Sequence, residues 1–141
     1  MNTSIPELLK VTKELNLLYV EDNKDSRVFT LEMLTRFFDR ISVAKNGIEG
    51  LEKFKKEKFD LVLTDINMPK MNGLDMINAI HEIDANILIL VLSAHNEKNY
   101  VEEAYKCGAQ HYLSKPLSLT ELVETLHMLL MSEPAYIKVA Q

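Results

Sequence analysis

At 141 residues the chain is long enough for one well-buried core and too short for two ordinary domains. Its 21 acidic residues outnumber 16 basic ones, a formal charge of -5 with the two signs interspersed, which excludes a basic face for direct nucleic-acid binding. The one cysteine, Cys107, excludes an internal disulfide and a cysteine-based zinc site, and it reads as a small packing residue near a helix end.

Residues 1–14 read as a helical extension. Ser4-Ile5-Pro6-Glu7 has the form of a capping box, and Ile5, Leu8, Leu9 and Leu15 fall on one side. The start of the chain lacks the basic residues and long apolar run of a signal peptide, and no later stretch could cross a bilayer. The expectation is a soluble, cytoplasmic protein that makes no membrane contact. Five short apolar runs follow, at 15–20, 41–44, 61–63, 87–92 and 111–113. Helical spacing fills the gaps. Residues 24–38 place Val28, Leu31, Leu34 and Phe38 on one stripe, and 47–57 do the same with Ile48, Leu51 and Phe54. Leu74, Ile77 and Ile80 mark a third helix; Val101, Ala104 and Tyr105 mark a fourth. Leu119, Leu122, Val123, Leu126 and Leu129 mark a fifth, opened by the capping box Ser118-Leu119-Thr120-Glu121. Ser132-Glu133-Pro134 stops that helix, so 132–141 reads as a tail or the start of a linker.

Strict alternation of strand and helix with short, right-handed connections leads to a parallel sheet covered by helices on both faces, a (βα)5 pattern. No Gly-x-Gly-x-x-Gly follows the first strand and no Gly-x-x-x-x-Gly-Lys occurs, so the dinucleotide and P-loop versions of that architecture lack their phosphate cradle. In such sheets ligands collect outside the carboxyl ends of the strands. In the common doubly wound order 2-1-3-4-5, the first and third strands are neighbours, roughly 4.8 Å apart. Glu21 and Asp22, which follow the first strand, then converge with Asp65, which follows the third. Carboxylates about 4 Å apart repel by roughly 1 to 4 kcal/mol, so three of them share a proton or recruit a cation. Hard oxygen ligands with room for water favour Mg2+. The plainer alternative is that each acid caps a turn or a helix start. Ser93-Ala94 ends the fourth strand, and Ser114-Lys115-Pro116 ends the fifth, giving the same edge a hydroxyl and a fixed cation able to neutralise a phosphoryl group. A cis bond at Pro116 fits that position. Tyr112, from the residues alone, is a half-buried edge-strand aromatic with its hydroxyl in water.

Glu21-Asp22, Asp65 with Met68-Pro69 and Asn72-Gly73 behind it, Ser93-Ala94, Tyr112 and Lys115-Pro116 together resemble the signature of a two-component response-regulator receiver domain of the CheY type. The resemblance covers residues 15–131 and implies a single flavodoxin-like α/β domain with strand order 2-1-3-4-5. It implies Asp65 as phosphoacceptor and Mg2+ held by Glu21, Asp22, Asp65 and the main-chain carbonyl of Asn67, with Glu21 able to bind through water. Ser93 and Lys115 would bind phosphoryl oxygens, and Ser93 with Tyr112 would form the switch. The implied partners are a sensor histidine kinase or phosphotransfer protein upstream and a downstream protein or fused output domain, with a phosphorylation-dependent dimer as a further form. Such a chain is no turnover enzyme; it catalyses its own phosphorylation and dephosphorylation, and switches a surface made by its fourth helix, fifth strand and fifth helix. Asn67 and His95, each two residues after a site residue, would line the mouth, while His81, His111 and His127 fall at no site position. A haloacid-dehalogenase-type phosphatase needs a second aspartate where Asn67 stands. A receiver-like binding module that acts without phosphorylation is the other alternative.

Overall fold

The computed structural model describes residues 5–68 and 70–131. Strands β1 (Asn16–Val20), β2 (Arg40–Ala44), β3 (Leu61–Thr64), β4 (Leu88–Ser93) and β5 (His111–Ser114) form one parallel sheet in the order β2-β1-β3-β4-β5. This is the flavodoxin-like order expected from the sequence. Alternate residues of the central strands feed opposite faces. Leu17, Tyr19, Leu61, Leu63, Leu90 and Leu92 join one buried cluster, while Leu18, Val20, Val62, Ile89 and Val91 join the other. Helices α1 (Ile5–Thr12), α2 (Lys24–Leu34) and α6 (Leu119–Leu126) contribute Leu8, Leu34, Leu122 and Leu126 to the first cluster. Helices α3 (Gly47–Lys56), α4 (Gly73–Ile83) and α5 (Lys98–Cys107) contribute Phe54, Met76, Ile77, Ile80 and Ala104 to the second. With apolar side chains on both faces, the central strands are continuous hydrophobic runs and not alternating ones. No described helix is long and apolar enough to cross a membrane.

Several helical stripes lie elsewhere than the spacing predicts. On α3 the buried positions are Gly47, Gly50 and Phe54, so Ile48 faces solvent. Glycines carry no apolar signal, yet they form the inner face because neighbouring chain comes too close for a side chain. On α2 the small Thr30 and Leu34 point inward and Val28 is exposed. Tyr105 and Leu119 are exposed as well, with Ala104 and Leu122 taking the inner places. Helix α2 also ends at Leu34, four residues short of Phe38. The N–H groups of Phe37 and Phe38 both return to the Leu34 carbonyl, and this tight turn sends both rings into the core before β2 begins.

The N-terminal helix packs through Leu8 and Thr12, with Ile5 exposed. Thr12 donates its hydroxyl to the Phe37 carbonyl at 2.6 Å, Lys13 pairs with Asp39 at 3.2 Å, and Arg40 donates to the Glu14 carbonyl at 3.0 Å. Helix α1 also touches His127–Met131, a π-helical turn that extends α6. Ser4 of the expected capping box, Pro69 and the stop at 132–134 lie outside the described residues.

Candidate functional site

Register brings the acids together. Val20 is the last residue of β1 and lies opposite Thr64, the last of β3, so the residues after them, Glu21 and Asp65, emerge side by side. The sheet ladder runs on to hold both, with Glu21 N–H donating to Ala44 O at 3.0 Å and Asp65 N–H to Val20 O at 3.1 Å. Arg27 ties the β1–α2 loop from below, its Nη1 donating to the carbonyls of Glu21 (3.0 Å) and Asp22 (3.2 Å). Glu21 is fully buried and Asp65 is 7% exposed.

The capping roles fall mostly to asparagines. Asn23 caps α2 by accepting the Ser26 N–H at 2.8 Å, and Asn72 caps α4 by accepting the Asp75 N–H at 2.9 Å. Asp65 divides its work. Its Oδ1 accepts the N–H groups of Ile66 (2.7 Å) and Asn67 (3.3 Å), while its Oδ2 faces the cleft. Oxygens of Glu21, Asp22 and Asp65 gather within 4.8 Å of one another. Lys115 Nζ enters from the end of β5, 3.0 Å from Asp65 Oδ2 and 2.8 Å from Glu21 Oε1; the second is a charge contact without the alignment of a hydrogen bond. Burial pushes the Glu21 carboxyl above the usual range, and the Asp65 charge adds to that against the opposing pull of Lys115 and the Asn23 N–H. For Lys115 burial pulls downward, but the two carboxylates outweigh it and its ammonium is held more strongly than in water. The Lys115–Pro116 peptide is cis.

Behind the cleft lies a short relay. Ser93 is fully buried and, like Tyr112, is not among the residues that line the cleft; its Oγ accepts the His95 N–H at 3.0 Å. The Tyr112 hydroxyl donates to the His95 carbonyl, so it has a protein partner that the residue-level reading did not foresee. Burial is the main reason its phenol is pushed up. The His95 ring meets the Asn67 side-chain amide at 2.9 Å, which joins the β3–α4 and β4–α5 loops across the mouth. Residues expected at the site, Glu21, Asp22, Asp65, Asn67 and Lys115, line one cleft of about 300 Å³ together with His95. A neighbouring cavity of about 390 Å³, against Phe29, Thr30, Pro116 and Leu117, is mostly apolar and lacks converging carboxylates, so the gathered charge lies in the smaller cleft. His81, His111 and His127 are half-buried and absent from its walls. Sequence reasoning passed over Asn23 and Arg27. Cap preference could have found the first; nothing local marks the second.

Residues 17–127 match the response regulator receiver domain family. The chemotaxis protein CheY of Thermotoga maritima is 38% identical over 112 residues, covering 79% of this chain and 93% of that protein. The transcriptional regulatory protein ZraR of Klebsiella oxytoca is 33% identical over 81% of this chain, but the match spans 26% of ZraR. A solved structure of the CheX-CheY-BeF3-Mg+2 complex from Borrelia burgdorferi aligns with a TM-score of 0.78 at 27% identity, covering 84% of this chain and 90% of that one. A match over most of the chain, on a fold whose strand ends carry the acids and the lysine, makes this protein a member of the CheY-like response regulator receiver family of two-component signalling.

Proposed function

We propose that this receiver takes a phosphoryl group onto Asp65 from a sensor histidine kinase or a phosphotransfer protein in a Mg2+-dependent reaction. The observation that carries the reading is the convergence of three carboxylates within 4.8 Å, one of them also 3.0 Å from a lysine ammonium. The donor set suits Mg2+ in its chemistry, since that ion prefers carboxylate oxygen and water. Glu21, Asp22, Asp65 and the Asn67 carbonyl would hold it. When bound it would neutralise charge on the phosphoryl oxygens.

The chain's own residues supply the rest. An Asp65 carboxylate oxygen attacks phosphorus as the donor's P–N bond breaks, and the electron pair of that bond leaves with the imidazole; the product is an acyl phosphate. Lys115 stands beside Asp65 Oδ2, where it can hold a phosphoryl oxygen. The Ser93 hydroxyl, whose oxygen accepts from His95, would turn its proton toward another phosphoryl oxygen. Attack by water on the acyl phosphate releases inorganic phosphate and returns the carboxylate, so the chain itself is modified and restored in each cycle. The signal then passes through Ser93 and Tyr112 to the surface of α5, β5 and α6. The supporting observation is that both residues are hydrogen-bonded to the backbone of His95. A coupling of about 1 to 3 kcal/mol between site and surface is typical of such switches. The surface serves a downstream protein, a fused output domain or a phosphorylation-dependent dimer. The working receiver is 15–131, with 1–14 as its N-terminal extension and 132–141 as a tail or linker start.

The test is intact-protein mass spectrometry after incubation with acetyl phosphate and Mg2+. The unaltered chain should gain one base-labile phosphoryl and Asp65→Asn none. Equal labelling of the two would remove Asp65 as acceptor.

A further inference from the structure

Gly47 is the first residue of α3, lies outside the acidic cleft and does not occupy the left-handed backbone region. At such a position Gly→Ala is ordinarily stabilising, because it restricts the unfolded chain. What Gly47 cannot accept is a side chain. A Cβ built there would lie 2.2 Å from the Met71 carbonyl oxygen and 2.9 Å from both the carbonyl carbon and Cβ of Met71. Met71 belongs to the loop that links β3 to α4 and carries Asn67. That loop is pinched at its base too. Gly73 N–H donates to Ile66 O at 2.9 Å, and a Cβ on Gly73 would stand 2.3 Å from the Asp65 carbonyl oxygen. Asn67 lies between these two close approaches.

We propose that Gly47 is a positioning residue for the phosphorylation site: it seats the Met71 peptide and thereby fixes where the Asn67 carbonyl meets Mg2+. The inference rests on the cleft being a Mg2+ site. Moving the Met71 oxygen from 2.2 Å to an ordinary contact of about 3.4 Å shifts the loop by roughly 1 Å, whereas Mg2+ demands near-ideal octahedral geometry and functional groups must be held within about 0.5 Å. Gly50, on the same helix and equally buried, is the natural contrast. The three atoms nearest a Cβ there would be Met76 Sδ at 2.7 Å, Val20 Cγ2 at 3.0 Å and Val20 Cγ1 at 3.5 Å, all of them side-chain atoms.

Calorimetric titration of Mg2+ into the unphosphorylated full chain tests this, with thermal melts alongside. In Gly47→Ala the dissociation constant should rise by about tenfold, the scale of supporting residues around a metal. Met71→Gly, which loosens the seat without adding an atom, should weaken binding in the same direction. Gly50→Ala should bind Mg2+ like the unaltered chain even if its melting temperature moves. A folded Gly47→Ala with unaltered affinity overturns the proposal. So does Gly50→Ala weakening Mg2+ as much as Gly47→Ala, since general packing of α3 would then be the cause. If Gly47→Ala does not fold, Met71→Gly decides, and an unaltered affinity there overturns it. An unaltered chain that binds no Mg2+ would remove the metal-site reading, and this inference with it.

Discussion

Leu8 at the amino edge of the sheet and Glu21 at its carboxyl edge are almost equally hidden from water, at 1% and 0% exposure, yet burial does opposite things for them. Leu8 joins Leu34, Phe37, Phe38 and Leu126, and the polar group beside it, Thr12, is matched by the Phe37 carbonyl. Removing apolar surface from water stabilises by about 25 cal/mol per Å². Glu21 takes a charge out of water, which costs several kcal/mol and is offset only partly by Lys115. One edge thus closes the fold, and the other holds buried charge where chemistry needs it. The lesson is that apolar closure and the proposed phosphoryl chemistry lie at opposite ends of the same strands, so each should be largely movable without the other.

The sharpest contrast is Lys115→Ala. It should slow phosphoryl uptake from acetyl phosphate by about 10² to 10³, the usual effect of losing one fixed stabiliser of developing charge. In a mass-spectrometric time course run below the melting transition, the rate of the folded variant should collapse, while the melt falls by the part of the Glu21 burial cost that Lys115 offsets. A melting loss as large as that of a core truncation would erase the division between the edges. Next comes Leu8→Ala, expected to cost about 2 to 5 kcal/mol in urea unfolding while uptake below the transition stays unaltered. A tenfold slower uptake by the folded variant would show that the amino edge governs the chemistry. Thr12→Val is milder, about 1 to 3 kcal/mol, because it leaves the Phe37 carbonyl without its donor; denaturant midpoints read it directly. The smallest effect is in alkaline solution. The Lys115 ammonium is held above its ordinary value of about 10.4, so its contribution to stability is complete below that pH and is lost as pH rises through the folded value. Stability of the unaltered chain should therefore fall more steeply above roughly pH 10.4 than that of Lys115→Met. Parallel slopes would mean that the ion pairs add nothing to folding.

The carboxyl edge was far more legible than the amino edge. Glu21, Asp65, Ser93 and Lys115 each end or follow a short apolar run, and a parallel sheet turns that local fact into a shared location. The division of labour inside the cleft was not legible. Whether Glu21 or Asn23 would cap α2 depends on side-chain geometry, and Asn23 takes the cap. The place of Tyr112's hydroxyl depends on where the β4–α5 loop puts the His95 carbonyl. Helix faces were misjudged where small residues do the packing, as at Gly47, Gly50 and Thr30, since hydrophobic spacing is blind to them. The docking of α1 rests on Phe37 and Leu126, 25 or more residues away in sequence, and no local pattern encodes such contacts.

On the proposed assignment of Asp65 as acceptor, its burial also bears on what can deliver to it. With 7% of its surface open, in the lining of a cleft of about 300 Å³, it offers little area to a phosphoryl group carried on a broad, flat surface. Such a mouth favours a slender donor, a small anhydride or an imidazole held at the tip of a side chain, so steric reach would screen donors alongside charge.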